Sequence, residues 1–333
     1  MELTDRLDID SFQGLNTSRL RNKSICLLGG TGFIGSWLVS SLHNLDLAYD
    51  LNLSITVYTR DKVAAFNKFA GVKNKRLTLK EHDFLNGAIN LGVFDYFING
   101  ATPTSTKPGL HTENIFLYPT LNAIQSIITS AKNEQNHPKV LNLSSGAVYG
   151  SQPIEISNRG ESQVDLLEKA DDYQRAKFLS ELELNKPDVL EILSPISPRL
   201  FTFYGPGLPL NKHFAIGNFI RDGLSGRPVR ILGNPNTRRS YMYPTDLVAW
   251  LLKSMLDPKP GYFNVGSENS VSMVELANLI SNITSKKGVE FSKPETPPNS
   301  YVPSTAHFRS EFDVRETVSL TSGLLRWKSW LQN

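Results

Sequence analysis

The stretch that decides the fold is Ser24-Ile25-Cys26-Leu27-Leu28-Gly29-Gly30-Thr31-Gly32-Phe33-Ile34-Gly35, in which five mostly apolar residues run directly into a glycine-rich turn. Ser24–Leu28 reads as a buried strand, and Phe33–Leu45 carries the apolar spacing of a helix. Glycine at such a junction allows a tight turn and lets backbone N–H groups approach a pyrophosphate. It also packs helix against strand. An anion is then favoured at the helix N-terminus by unpaired N–H groups and the helix dipole. A glycine pattern alone is weak, but between a strand and a helix at the start of an alternating chain it points to a dinucleotide. Gly29, Gly32, Phe33, Ile34 and Gly35 are therefore the first candidate cofactor residues.

Alternation continues outward from there. Strand-like runs recur at 54–58, 76–80, 96–99, 139–143 and 190–200, separated by helical stretches at 62–69, 115–132 and 173–184. Short apolar strands alternating with helices imply a doubly wound parallel α/β sheet covered on both faces. After Phe201 the texture changes to Gly-Pro punctuation, as in YGPGLP and LGNPN. The expected plan is an N-terminal arm over 1–23 and a Rossmann-type dinucleotide-binding domain over 24–201 with a returning strand near 261–266. A smaller, mainly substrate-binding lobe over 202–333 completes it, with a cleft between lobe and domain.

Bulk properties narrow the function. The chain has 333 residues, 40% hydrophobic and 20% charged, enough for a sizeable core. A formal charge of +3, from 35 basic against 32 acidic residues, is too balanced to argue for nucleic-acid or membrane binding. The single cysteine, Cys26, excludes an internal disulfide and fits a reducing compartment. The polar N-terminus lacks a signal-peptide core and no run reaches membrane-spanning length, so a soluble, cytoplasmic protein is expected. No His, Cys and acidic cluster has metal-ligand spacing, and no metal is expected.

Two segments carry chemistry. Ser144-Ser145-Gly146-Ala147-Val148-Tyr149-Gly150 follows the fifth strand, where open α/β sheets bind ligands at strand carboxyl ends. Tyr173-Gln174-Arg175-Ala176-Lys177 places a phenol and an ammonium four residues apart, on one helix face. A free phenol ionises near pH ~10, and a neighbouring ammonium favours the phenolate. Tyr173 can then exchange a proton with a substrate oxygen, with Ser145 hydrogen-bonded to that oxygen. Tyr58 and Lys62 have the same spacing, but no hydroxyl-bearing strand end accompanies them. Ser145, Tyr173 and Lys177 are the candidate catalytic set, and Tyr173 and Lys177 are also expected to contact the cofactor.

The cofactor's identity turns on the residues after the second strand. An NAD site commonly has an acid there for the ribose 2′-hydroxyl. This strand ends in Thr59 and is followed by Arg60, whose guanidinium suits a 2′-phosphate. NADP is expected over NAD. Asp83, after the third strand, is a candidate adenine contact.

With these residues in place, the chain resembles the nucleotide-sugar epimerase/dehydratase group of the extended short-chain dehydrogenase/reductase family over almost all of its length after residue 23. GGTGFIG resembles that family's glycine motif, SSGAVYG its catalytic-serine segment and YQRAK its Tyr-Lys pair. Asn99-Gly100-Ala101-Thr102 resembles the segment after its fourth strand, which adds Ala101 to the cofactor candidates. Arg199 to Pro206 is similar to RxFNxYGP, with Thr202 where the family has asparagine near the substrate phosphates. The resemblance implies that Arg239 binds a substrate diphosphate; Arg238 beside it reads as a surface charge. Thr104, Thr106, His213 and Asn218 are candidates toward nucleotide or sugar. Substrate candidates are thus Thr104, Ser145, Thr202, Asn218 and Arg239. The family's 4,6-dehydratases have an acidic residue directly after the catalytic hydroxyl; here those positions are Gly146 and Ala147. Arg60-Asp61 resembles the Arg-Asp of dihydroflavonol-reductase-like members that use NADPH. The resemblance therefore implies reduction of a nucleotide-linked 4-keto(-6-deoxy) sugar. A 4-epimerase with tightly held NAD is the alternative, and a dinucleotide-sensing protein without catalysis the second. A homodimer is implied by the family.

Overall fold

A computed structural model describes residues 9–72, 75–103, 115–132, 137–150, 152–153, 170–212 and 214–332. Thr104, Thr106 and His213 lie outside the described residues. The chain forms two compact units. The first gathers Met1–Gly150, Val164–Arg199 and Val248–Phe263, and the second Ser151–Gln163, Leu200–Leu247 and Asn264–Asn333.

The first unit is built on a parallel sheet. Its strands β1 (Ser24–Leu28), β2 (Ser54–Thr59), β3 (Leu77–Glu81), β4 (Tyr96–Asn99) and β5 (Lys139–Asn142) are followed by strands Ser194–Leu200 and Tyr262–Val265. Strand β1 pairs in parallel with both β2 and β4, so the sheet order reads Tyr262–Val265, Ser194–Leu200, β5, β4, β1, β2, β3. The chain reverses its direction of growth between β1 and β4, the place where doubly wound folds bind ligands. Helices α1 (Phe33–Tyr49), α2 (Lys62–Lys68), α3 (Leu117–Ala131) and α4 (Asp172–Leu184) connect the strands. Four of the five residues of β1 and all four of β4 are buried, as in a sheet with both faces covered. One face packs Leu28, Phe97 and Val140 of the sheet with Ile124 and Ile127 of α3 and Leu184 of α4. Cys26 is buried in this core, and burial raises its thiol far above the ordinary range, so it is a packing residue.

The N-terminal arm forms two short 3-10 turns, Ile9–Phe12 and Thr17–Leu20. Leu20 is fully buried, and the Arg19 carbonyl accepts from the Tyr96 hydroxyl at 3.1 Å. The expected strand over 190–200 begins only at Ser194. Pro187 stands in the first turn of a short helix, Pro187–Leu190, a position where its missing N–H costs nothing. The apolar run is therefore split between two elements.

Among the described residues, the second unit holds a four-stranded sheet in the order Ser270–Ser272, Arg238–Ser240, Asn299–Tyr301, Gln152–Pro153. A two-stranded sheet pairs Val229–Ile231 with Val289–Phe291. Near the C-terminus, the Asp246 carboxylate accepts from the backbone N–H groups of Thr317 and Val318, both at 2.9 Å.

Candidate active site

The glycine turn explains itself only in part by packing. Gly29 has φ +78°, and a Cβ there would lie 2.3 Å from the Gly100 carbonyl oxygen. A Cβ on Gly30 would meet Val57 Cγ1 at 2.6 Å, and one on Gly35 the Gly29 carbonyl oxygen at 2.6 Å. These three glycines are demanded by the close approach of α1 to β1, β2 and the end of β4. Gly32 is different. Its φ of −64° suits any residue, and the nearest atom to a Cβ there is 3.4 Å away. It is the N-cap of α1, with no side-chain cap and no acid in the first turn. A 17-residue helix thus presents an uncapped positive end beside a residue that nothing inside the protein requires to be glycine. That arrangement fits the pyrophosphate of a dinucleotide.

Around this turn, the first acid past the end of β2 is Asp61. Thr59 is buried, its Oγ1 3.4 Å from that of Thr31. Asp61 spends a carboxylate oxygen capping α2 through the Ala64 N–H at 2.8 Å. Arg60 between them is exposed. Lys68, at the end of α2, donates to the Thr31 carbonyl at 2.7 Å, a contact that no sequence motif announced. Asp83 caps the turn Phe84–Asn86 through the Leu85 N–H at 3.0 Å, so one of its oxygens has a structural role. The Ala101 N–H donates to Asn99 Oδ1 at 3.3 Å, and Ala101 abuts Gly29.

Ser145, Tyr173 and Lys177 converge. Helix α4 is started by a capping box: Asp171 accepts from the Gln174 N–H at 2.8 Å, and Gln174 accepts from the Asp171 N–H at 3.0 Å. Asp172 also accepts from the Phe116 N–H at 3.0 Å, and Phe116 stands edge-on to Tyr173 with centroids 5.7 Å apart. Tyr173 is therefore held at a fixed place on the first turn. Burial pushes its phenol above the ordinary value, the neighbouring Ser145 hydroxyl opposes this, and Asp171 adds to the rise. One turn on, Lys177 lies 5.8 Å from the Tyr173 ring centroid and donates to the Leu143 carbonyl at 2.6 Å. Burial pushes its ammonium down to about 7 against the pull of the Glu181 carboxylate. Ser145 also caps the 3-10 turn Gly146–Tyr149, accepting from the Ala147 N–H at 3.1 Å. The serine thus caps a turn and stands beside Tyr173 at once.

The control pair separates. Tyr58 is buried within β2, with its hydroxyl 3.4 Å from the Leu91 carbonyl, while Lys62 opens α2 and is exposed.

In the second unit, Arg239 lies on the central strand Arg238–Ser240 and faces Tyr301 in register. Its Nη1 donates to Asn299 Oδ1 at 2.8 Å and to the Arg238 carbonyl at 2.7 Å. Among the described residues the Nε and Nη2 edge has no hydrogen-bond partner, the edge that grips an oxyanion bidentately. Arg238 is not the loose surface charge expected: its Nε donates to Ser270 Oγ at 2.7 Å and its Nη2 to the Ser270 carbonyl at 3.1 Å. The cause is the antiparallel pairing of its strand with Ser270–Ser272. Asn218 uses its amide to hold the Lys212 carbonyl at 2.9 Å, and Thr202 offers its backbone carbonyl to the Met242 N–H at 3.0 Å.

Residues 25–266 match the model of the NAD dependent epimerase/dehydratase family. UDP-glucuronic acid decarboxylase 1 of Arabidopsis thaliana is 25% identical over 332 residues, covering 96% of this chain and 72% of that protein. Among solved structures, UDP-N-acetylglucosamine 4-epimerase from Methanobrevibacter ruminantium M1, in complex with UDP-N-acetylmuramic acid, superposes with a TM-score of 0.76. It is 20% identical and covers 94% of this chain and 99% of its own. dTDP-glucose 4,6-dehydratase from Bacillus anthracis str. Ames, in complex with NAD, gives a TM-score of 0.74 at 18% identity, covering 93% and 96%.

Proposed function

The chain belongs to the NAD dependent epimerase/dehydratase family, and from that premise we propose that it reduces the 4-keto group of a nucleotide-linked 6-deoxy sugar. The observation that carries the reading is the composition of the reactive segment. Tyr173 stands as proton donor beside Ser145, and the next two positions, Gly146 and Ala147, hold no acid or base. Water elimination needs a further acid and base, whereas ketone reduction needs one proton. A reduced dinucleotide supplies the hydride when bound. The chain's own part follows from its geometry. Ser145 hydrogen-bonds the ketone oxygen, and Tyr173 transfers its phenolic proton to that oxygen as the carbon gains hydride. Burial keeps the phenol protonated at neutral pH, the state a donor needs. Lys177 compensates the charge left on the phenolate.

NADP is the cofactor this reading favours. Its support is the neutral Thr59, the Asp61 already engaged as a helix cap and the exposed Arg60. Arg239 would take the substrate diphosphate with its unspent edge. The single cysteine is buried and reduced, in keeping with a cytoplasmic enzyme, and among the described residues no helix is long and apolar enough to cross a membrane. The family implies a homodimer through a four-helix interface that includes α4, the Tyr-Lys helix; α3, packed on α4, is its natural companion.

A second reading is favoured by the relatives. The Arabidopsis thaliana protein is a UDP-glucuronic acid decarboxylase, and solved neighbours include a 4-epimerase and a dehydratase with NAD. An enzyme of that kind oxidises and re-reduces its substrate on one retained NAD. The two readings part in one assay: NADPH consumption on incubation with dTDP-4-keto-6-deoxyglucose. Stoichiometric oxidation supports the reductase. No consumption, together with near-stoichiometric NAD released on denaturing the purified protein, supports the second reading.

A further inference from the structure

Three residues of α4 at successive turns, Tyr173, Lys177 and Glu181, meet three consecutive residues after β5. Tyr173 neighbours Ser145, and Lys177 donates to the Leu143 carbonyl at 2.6 Å. Glu181 accepts from the Ser144 hydroxyl at 2.5 Å. Helix and strand end are thus fastened along one helix face. Glu181 is itself clamped. Arg199 of the strand Ser194–Leu200 grips it with two parallel bonds, Nε to Oε1 at 2.9 Å and Nη2 to Oε2 at 2.6 Å. Both side chains are 1% exposed. Arg199 also donates to the Tyr149 hydroxyl at 2.8 Å, and its guanidinium lies 3.8 Å from the Tyr262 ring centroid.

A buried ion pair is a poor source of stability, because desolvating both charges costs about as much as their attraction returns. Its retention under the reactive helix calls for another role. We propose that Glu181, oriented by Arg199, is a positioning residue that keeps Lys177 charged and fixes the register of Tyr173 against Ser145. Tyr173 and Glu181 lie on the same helix as Lys177, one turn to either side. Arg199, which grips Glu181, is on the strand Ser194–Leu200, and Tyr149, bonded to Arg199, is on the turn after Ser145. Helix α3, packed on α4, brings Tyr118 and no charged side chain. Among these groups Glu181 is the one placed to attract the ammonium, and burial of Lys177 opposes it.

The test needs no substrate. In protein carrying ε-13C-labelled lysine, the Lys177 signal is assigned by its loss in Lys177→Met and followed through a pH titration. The native midpoint is expected near neutrality. In Glu181→Gln the burial penalty stays and the attraction goes, so the midpoint falls by about one unit or more, a tenfold or greater loss of proton affinity. An unmoved or raised midpoint in folded Glu181→Gln overturns the proposal. If that variant does not fold, Glu181→Asp keeps a carboxylate for Arg199 but shortens its reach along α4. Its midpoint must still fall, and an unmoved one again overturns the proposal. The inference rests on Lys177 belonging to the reactive set. Failure of that reading shows separately, as full turnover in Lys177→Met.

Discussion

Tyr173→Phe deletes the proposed proton donor and leaves the ring packed edge-on to Phe116. Turnover is expected to fall by about 10²–10⁴-fold, the usual worth of a positioned acid, while dinucleotide affinity holds. Steady-state NADPH oxidation and a fluorescence titration check the two halves. A loss in both would make Tyr173 a binding residue only. Arg60→Ala removes the guanidinium proposed for the 2′-phosphate. Charge-assisted hydrogen bonds contribute about 1.5–3 kcal/mol, so the ratio of NADH to NADPH dissociation constants should drop at least tenfold. An unchanged ratio assigns Arg60 to solvent. At this scale the sequence was most informative where chemistry is local. Tyr173 and Lys177 are one helical turn apart, and the spacing alone places them together. The Glu181–Arg199 pair was hidden because its partners lie on different elements 18 residues apart. An acid four residues beyond Lys177 was the available signal.

The glycine turn offers a contrast within one element. A Cβ at Gly35 would press on the Gly29 backbone at 2.6 Å, where nothing can yield cheaply, whereas one at Gly32 has 3.4 Å of room. Gly35→Ala is therefore expected to lower the melting temperature and abolish dinucleotide binding. Gly32→Ala keeps the fold, with a melting temperature within a few degrees of native, yet weakens dinucleotide binding about tenfold or more. Thermal melts and cofactor titrations on both variants decide it. Equal damage to stability would mean that Gly32 is structural. Elements were legible where apolar runs are bounded by turn residues, as in β1, β2 and β4. The run over 190–200 misled because apolar character does not distinguish the Pro187–Leu190 turn from the strand that follows.

For the molecule as a whole, the alternation of strands and helices foretold the parallel sheet, and the motifs foretold the family. The chemistry was less legible, since one fold serves many different reactions. Oligomeric state belongs to this scale too. Tyr118 on α3 and Leu182 on α4 are 55% and 45% exposed, an apolar surface on the two helices that the proposed dimer uses. Light scattering should give twice the 37.1 kDa chain mass, and Leu182→Glu should halve it. A native monomer would remove the dimer from the account.

Net reduction with an exchangeable cofactor leaves an isotopic record. Deuterium is followed from NADPH labelled at both C4 positions, incubated with dTDP-4-keto-6-deoxyglucose. Net reduction places one deuterium at C4 of the sugar for each NADP formed. Product without deuterium, or no NADP formed, would contradict it and point to hydride recycled on a retained NAD.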